Sequence, residues 1–249
     1  SNNPANPSST APYTDDVLLD SMTFGGVTMA ASNNQIGAIQ SAYVVSGRDD
    51  TNAEWGDNDD NADGNTDPFG RVGINAFNQD GSVDLSVQES TDPAIQDIGL
   101  ASAFSSLSLS EITDGEGNTS VTNFIFSAGI VDNDNAADNI PEIALFERGN
   151  NDTTTVRAIT GGTYNNPTLA GAVSITEDKM WNTGLYIDTT EVTAIQELAA
   201  VGIDLNEFGI SDGTIVYGIQ IETDGGDFGG FFQTADDPET QLSDDVPGG

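Results

Sequence analysis

Short apolar runs separated by glycine, asparagine and aspartate recur along most of the chain. Many of them alternate apolar with polar positions and are rich in β-branched residues, a pattern that predicts half-buried β-strands. Strands are predicted at Val17–Met29, Ile36–Ser46, Arg71–Phe77, Ser82–Gln88, Ile98–Leu109, Val121–Val131, Glu142–Phe146, Thr154–Thr160, Ala172–Thr176, Leu185–Asp188, Gly202–Leu205, Thr214–Glu222 and Gly230–Thr234. Because strands do not alternate with long helical patterns, an all-β fold is favoured, an antiparallel β-sandwich or jelly roll.

One segment has a helical period instead of a strand period. Val192, Ile195 and Ala199 are spaced so that they would share one face of a helix. Thr190 stands ahead of them as a suitable N-cap. The pattern therefore predicts one short helix at about residues 190–200, packed against a sheet edge or an end of the sandwich.

The apolar pattern does not reach either end of the sequence. Residues 1–15 are mainly asparagine, proline and serine and are predicted to form an extended polar arm. Residues 16–240 carry the predicted strands without an internal repeat, so they are predicted to form a single β-sandwich domain. Residues 241–249 are predicted to be a polar tail.

The charge of the chain narrows its possible partners. There are 41 acidic residues and 5 basic ones, which gives a formal net charge of -36. Such a surface repels phosphate backbones and anionic lipids and attracts cations, so no nucleic-acid partner is expected. No apolar stretch approaches the ~20 residues that a membrane-spanning helix needs, so direct membrane insertion is not expected either.

The residue types available for catalysis are few. The sequence contains no cysteine and no histidine, which excludes disulfides, zinc thiolates and Ser-His or Cys-His catalysis. Glu142 and Glu147 are five residues apart, so they lie on opposite faces of a strand and do not form a catalytic pair. Glu147 shares its face with apolar residues, and we expect it to be partly buried and in contact with Arg157 of an adjacent strand.

The segment GDNDDNADGNTD (Gly56–Asp67) has the spacing of a calcium-binding loop. Alternate residues carry oxygen atoms, and Gly64 stands at the position of the sharp turn. The candidate ligands are Asp57, Asp59, Asn61, Asp63, Asn65 and Asp67. Gly70 stands where the motif has a bidentate glutamate, so further ligands must come from elsewhere. The alternative interpretation is a solvated acidic loop without a bound ion.

A second acidic segment, VDNDNAADN (Val131–Asn139), matches the same motif only in part. Asp132, Asp134 and Asp138 are its candidate calcium ligands. Ala136 interrupts the motif at the fifth position, so this segment would have to bend to bring the three carboxylates together.

The two tryptophans are candidates for stacking on sugar rings, because a flat aromatic face packs well against a sugar. Trp55 lies beside the predicted calcium loop and is the better candidate for an exposed platform. Trp181 is expected to pack at the start of a strand. A glycan-binding function thus remains an alternative.

The region from residue 139 to residue 232 contains several short motifs in one order. They are an E-R-G-x-N turn at Glu147, Trp181 before a G-x-x-I-D-T-T-E segment, a G-I-D-L-x-x-x-G-I segment at Gly202, and a closing G-x-D-F that ends at Phe228. This set resembles the exosortase-dependent surface proteins of bacteria with the PEP-CTERM sorting system. The Pro-Glu-Pro signal, membrane helix and basic tail of that family do not occur in this sequence.

The resemblance implies export and a role in the architecture of a cell surface or biofilm matrix, with no established enzymatic activity. We therefore expect a secreted, non-enzymatic structural protein, stabilised by calcium and assembling with copies of itself into a filament or layer through the N-terminal segment Val17–Phe24. An extracellular glycan-binding β-sandwich, with polysaccharide as its partner, is the alternative. A carboxylate-based hydrolase or lyase is the third hypothesis.

Overall fold

Two antiparallel sheets face one another across an apolar core. The computed structural model describes residues 21–24, 27–30, 39–46, 51–55, 100–101, 104, 111–115, 119–132, 141–187, 196–224, 226, 228–233 and 241–242. The strands are β1 (Ser21–Phe24), β2 (Val27–Ala30), β3 (Ile39–Ser46), β4 (Thr51–Trp55), β5 (Glu111–Gly115), β6 (Thr119–Ile130), β7 (Ile143–Arg148), β8 (Thr154–Thr163), β9 (Asn166–Ile175), β10 (Trp181–Ile187), β11 (Gln196–Ile203), β12 (Val216–Asp224), β13 (Phe228–Gln233) and β14 (Gln241–Leu242).

The predicted all-β antiparallel sandwich is confirmed. Sheet A has the strand order β10-β11-β7-β13-β5-β4, and sheet B has the order β14-β6-β12-β8-β9, with β3 also paired to β6. Every pairing among the described strands is antiparallel. Strands β1 and β2 form a hairpin that is a separate two-stranded sheet.

The core lies between the sheets and follows the two-residue period of the strands. On β12, Ile219 and Ile221 are buried in the core, and Phe124 of β6 lies opposite Ile219. Leu145 of β7 belongs to the same apolar cluster from the side of sheet A. Each fully buried side chain of this size stabilises the fold by roughly 1.5–3 kcal/mol, so the alternating pattern determines which face of each sheet turns inward.

The outer face of sheet B carries a buried polar network. Asn123 donates from Nδ2 to the carbonyl of Tyr164 at 2.8 Å and accepts from Gln220 Nε2 at 2.9 Å. The Tyr164 ring meets Tyr43 edge-on, with ring centroids 5.4 Å apart. The tip of the β8–β9 hairpin is therefore held over the outer face by side chains of β3, β6 and β12.

A helical contact replaces part of a predicted strand. The backbone N–H of Phe104 donates to the carbonyl of Leu100 at 3.1 Å, the four-residue spacing of a helical turn. The strand predicted over 98–109 is therefore wrong at these residues. Phe104 packs on Phe124 with ring centroids 4.3 Å apart, so this turn inserts an aromatic ring into the core.

The helix predicted at residues 190–200 is wrong where the structure describes it, because Gln196–Ile203 is strand β11. This strand lies between β10 and β7, and the consecutive residues Leu198, Ala199, Ala200 and Val201 are all buried. A continuous apolar run of this kind fits a strand covered on both faces as well as a helix. Residues 188–195 lie outside the described part. None of the described helical segments is long and apolar enough to cross a membrane.

The sandwich has two ends with different construction. We call the end where β7 and β12 finish and β8 and β13 begin the turn end, since it holds the turn 149–153. We call the opposite end, where β11 finishes and β7 begins, the capped end, since the 3₁₀ turn Leu205–Phe208 covers it. Strand β14 pairs with Ile130 and Gly129 of β6, so sheet B continues into residues that the sequence pattern assigns to the polar tail.

Candidate functional site

The predicted calcium ligands lie mostly outside the described residues. This applies to Asp57, Asp59, Asn61, Asp63, Asn65, Asp67, Asp134 and Asp138. Asp132 is described: it lies two residues after β6, is 5% exposed, and its backbone carbonyl accepts from the N–H of Gly213 at 2.9 Å. Within the described ranges, no group of three or more acidic side chains is placed to share a metal ion. The calcium loop at 56–67 therefore stays a prediction.

At the capped end, a buried carboxylate fixes the 3₁₀ turn. Glu142 is 1% exposed, and its Oε2 accepts from the backbone N–H of Leu205 at 2.9 Å. Asp204 caps the same turn, because its Oδ1 accepts from Asn206 N at 2.8 Å while its own N–H donates to Glu207 Oε1 at 3.3 Å. The N-terminal N–H groups of the turn are thereby satisfied by side chains.

At the turn end, a second buried carboxylate fixes a tight turn. Glu147 is 0% exposed and faces the core opposite Phe228. Its Oε2 accepts from the backbone N–H of Asn150, three residues along the chain. Gly149 and Asn150 have φ angles of 100° and 54°, which suits glycine and asparagine, the residues that tolerate the left-handed region best. The predicted burial of Glu147 is confirmed.

These two glutamates are not arranged for glycoside hydrolysis. They stand at opposite ends of β7, and five residues of extended strand separate their Cα atoms by about 16 Å. Retaining and inverting glycosidases need carboxyl groups roughly 5–9.5 Å apart. Each of the two carboxylates instead accepts a hydrogen bond from a loop backbone, which is a structural role.

The predicted contact between Glu147 and Arg157 is wrong. Glu147 lies in sheet A and Arg157 in sheet B. Arg157 Nη1 instead lies 2.7 Å from Oε2 of Glu222 on the neighbouring strand β12. The error follows from strand order: β7 and β8 are consecutive in sequence, but the chain crosses from one sheet to the other between them.

The basic residues within the described ranges take part in the fold. Arg148 is 1% exposed. Lys179 donates from Nζ to the carbonyl of Ser174, and Arg157 is paired with Glu222. The surplus of acidic over basic residues is therefore left for cations from solution to balance.

One of the two aromatic candidates differs from the sequence expectation. Trp181 does begin a strand, β10, as predicted, but it is 43% exposed. It lies on an edge strand of sheet A, opposite Ala200. Trp55 ends β4 and pairs with Glu111 of β5, and its exposure lies outside what the structure describes.

Sequence reasoning missed one group of polar residues, the hydroxyls that line the inner face of sheet B at the turn end. Ser120, Thr122, Thr154 and Thr223 are 2%, 3%, 1% and 8% exposed. The available signal was their spacing, because each stands an even number of residues from a core position of its strand. Threonine also suits exposed strand positions, so the pattern alone does not distinguish the two cases.

Comparison of the chain with protein-family models, with curated proteins and with solved structures finds no match. The functional interpretation therefore depends on the residues of this chain and their geometry.

Proposed function

We propose that this protein is a secreted, non-catalytic structural component of a cell surface or extracellular matrix, and that calcium stabilises its fold. The observation that carries the proposal is the charge balance. The chain has 41 acidic and 5 basic residues, and the basic residues within the described ranges are engaged in the fold. Cations must therefore balance the remaining negative charge, and calcium is abundant where exported proteins work.

The geometry of the buried carboxylates also supports a structural role. Glu142 holds the 3₁₀ turn at the capped end, and Glu147 holds the turn 149–153. A buried carboxylate that accepts hydrogen bonds from backbone N–H groups fixes the chain, because leaving either group unpaired inside the protein is costly. The resemblance to exosortase-dependent surface proteins points to the same class of function.

The proposed self-assembly uses the N-terminal hairpin. In the β1–β2 register, Met22 pairs with Met29 and Phe24 with Val27, so these four positions share one face of the hairpin. Ser21 and Thr23, on the other face, are exposed. A two-stranded hairpin is marginally stable alone, and one apolar face suits packing against a second copy of the chain.

The test of calcium binding is a thermal melt. After removal of metal with a chelator, the melting temperature and particle size are followed as calcium is added. We expect a saturable rise in melting temperature, because calcium at a hundred times its dissociation constant stabilises the native state by about 2.7 kcal/mol. The rise should disappear in the double variant Asp59→Ala/Asp63→Ala, and growth in particle size would place calcium in assembly.

A matched control separates binding from charge screening. Asp212 and Asp224 are exposed and lie outside the predicted loop. The double variant Asp212→Ala/Asp224→Ala removes the same two charges and should keep the calcium response. A melting shift that sodium reproduces at equal ionic strength would overturn the calcium proposal and leave a solvated acidic loop.

Glycan binding is the second candidate function, favoured by the exposure of Trp181. Trp181 is 43% exposed and lies on an edge strand, and an exposed indole can stack on a sugar. On an array of polysaccharides, this function predicts saturable binding that Trp181→Ala abolishes. Leu169→Ala, at another exposed apolar residue, is the control and should bind normally. Failure of the native protein to bind any glycan would eliminate this function.

A further inference from the structure

A small cavity lies within the core at the turn end. Its volume is about 10 Å³. The described residues that line it are apolar on one part of the wall, with Phe104, Phe124, Ile221 and Phe228, and carry hydroxyl groups on the other. The hydroxyl groups belong to Ser120, Thr122 and Thr223, all on the inner face of sheet B.

One of these hydroxyls is left without a protein partner. Thr122 is 3% exposed, and its Oγ1 is buried with no hydrogen-bond partner among the described residues. Leaving a buried hydroxyl unpaired destabilises a protein by about 1–3 kcal/mol. Buried polar groups in folded proteins are nearly always paired, with protein or with ordered water.

A second hydroxyl belongs to the same cavity wall, that of Thr223. Thr223 Oγ1 accepts from the backbone N–H of Gly226 at 3.0 Å. Since a hydroxyl both donates and accepts, its proton stays available for a group in the cavity. Ser120 and Thr122 supply further donors and acceptors around the same volume.

The volume of the cavity and the polar groups in its wall determine which molecule it can hold. About 10–15 Å³ of such space holds one water molecule, which needs two to four polar partners. Calcium is excluded by its need for six to eight oxygen ligands, since aromatic and aliphatic side chains form much of the wall. An apolar occupant of this size would leave the Thr122 hydroxyl unpaired.

We propose that this cavity binds one ordered water molecule, held by the hydroxyls of Thr122, Thr223 and Ser120. The water joins β6 to β12 inside the core. It is a structural ligand of the turn end, independent of calcium and of the proposed function.

The test compares two threonines of the same sheet. Thr122→Val keeps the shape of the side chain and removes the hydroxyl, so the bound water loses a partner. We expect the equilibrium constant for unfolding in urea to rise about tenfold. Thr154→Val is the control, because Thr154 Oγ1 is also buried without a described hydrogen-bond partner but does not belong to the cavity wall. It should leave the unfolding constant unchanged or lower it.

Equal effects of the two substitutions, or a more stable Thr122→Val variant, would overturn the proposal. A direct measurement on the native protein remains decisive if Thr122→Val does not fold. Nuclear Overhauser transfer between a long-lived water and the Thr122 side chain is expected, and a dry cavity in that measurement would refute the assignment.

Discussion

The loops at the two ends of the sandwich are held by hydrogen bonds that differ in how far apart their partners lie along the chain. At each end a buried glutamate of the β7 segment accepts from the backbone N–H of a loop. Glu142 reaches Leu205, which is 63 residues away along the chain. Glu147 reaches Asn150, which is 3 residues away. The capped end therefore exists only when distant segments have come together, whereas the turn end has one bond that a local segment forms by itself.

The capped end has further long-range contacts of the same kind. The carbonyl of Asp132 accepts from Gly213, and Gly171 of β9 lies against the backbone of Phe208 in the 3₁₀ turn. Loss of such a contact is expected to weaken the whole sandwich. Loss of a local contact at the turn end is expected to open a few residues, because proteins unfold in units of different stability.

The largest effect is expected from Gly171→Ala at the capped end. Gly171 has a φ of 52°, and the added Cβ would lie 1.9 Å from the carbonyl oxygen of Phe208. Backbone strain and steric overlap together should cost about 4 kcal/mol of unfolding free energy, measured in urea. The control is Gly184→Ala, where φ is 76° but a Cβ meets no atom of the described residues within 4 Å. It should cost about 1 kcal/mol; similar costs would show that Phe208 moves away.

The next effect concerns Glu142 at the same end. Glu142→Ala removes the acceptor of the buried Leu205 N–H and should cost about 3 kcal/mol, as expected for a charged group inside the protein. Glu142→Gln keeps an acceptor oxygen and should cost about half as much. Amide hydrogen exchange should quicken across both sheets in the alanine variant. Faster exchange at Leu205 alone would contradict the long-range role of this contact.

A smaller effect is expected at the turn end. Glu147→Ala removes the acceptor of Asn150 N–H, which is only partly buried, so water can replace it after a small movement. The expected loss is about 2 kcal/mol. The increase in amide exchange should be confined to residues near 149–153. Faster exchange at the capped end as well would show that the Glu147 contact also stabilises the whole sandwich.

The smallest effect belongs to the ion pair on the outer face of sheet B. Arg157 and Glu222 are 29% and 40% exposed, so solvent and salt screen their attraction. A double-mutant cycle with Arg157→Gln and Glu222→Gln should give a coupling of about 0.5 kcal/mol that decreases with added salt. A coupling above about 2 kcal/mol would mean that this pair, and not the loops at the ends, fixes β8 against β12.

Several strands were predictable because their signal is local. Ile39–Ser46, Thr119–Ile130 and Val216–Asp224 agree closely with the predicted strands, since each is rich in β-branched and aromatic residues. Strands β4 and β5 were missed, because their sequences TNAEW and EITDG are short and mostly polar. Such strands form because a neighbouring strand supplies hydrogen-bond partners.

At the candidate site too, a local sequence pattern predicted some features and not others. The burial of Glu147 follows from its place on an apolar face of β7, and the sequence was sufficient for it. Its expected partner Arg157 was wrong because the order of strands within a sheet cannot be seen in a local pattern. The burial of the hydroxyls around the core cavity was not predicted for a similar reason, because threonine is equally suited to a solvent-exposed strand.

By itself, the sequence determined the all-β class and the negative charge, because these depend on the residue period and on counting charges. Only the tertiary structure decided that Gln196–Ile203 is a strand, that Glu142 meets Leu205 and that Arg157 meets Glu222. Each of these depends on which distant segments become neighbours, and that is settled by the packing of the two sheets against one another.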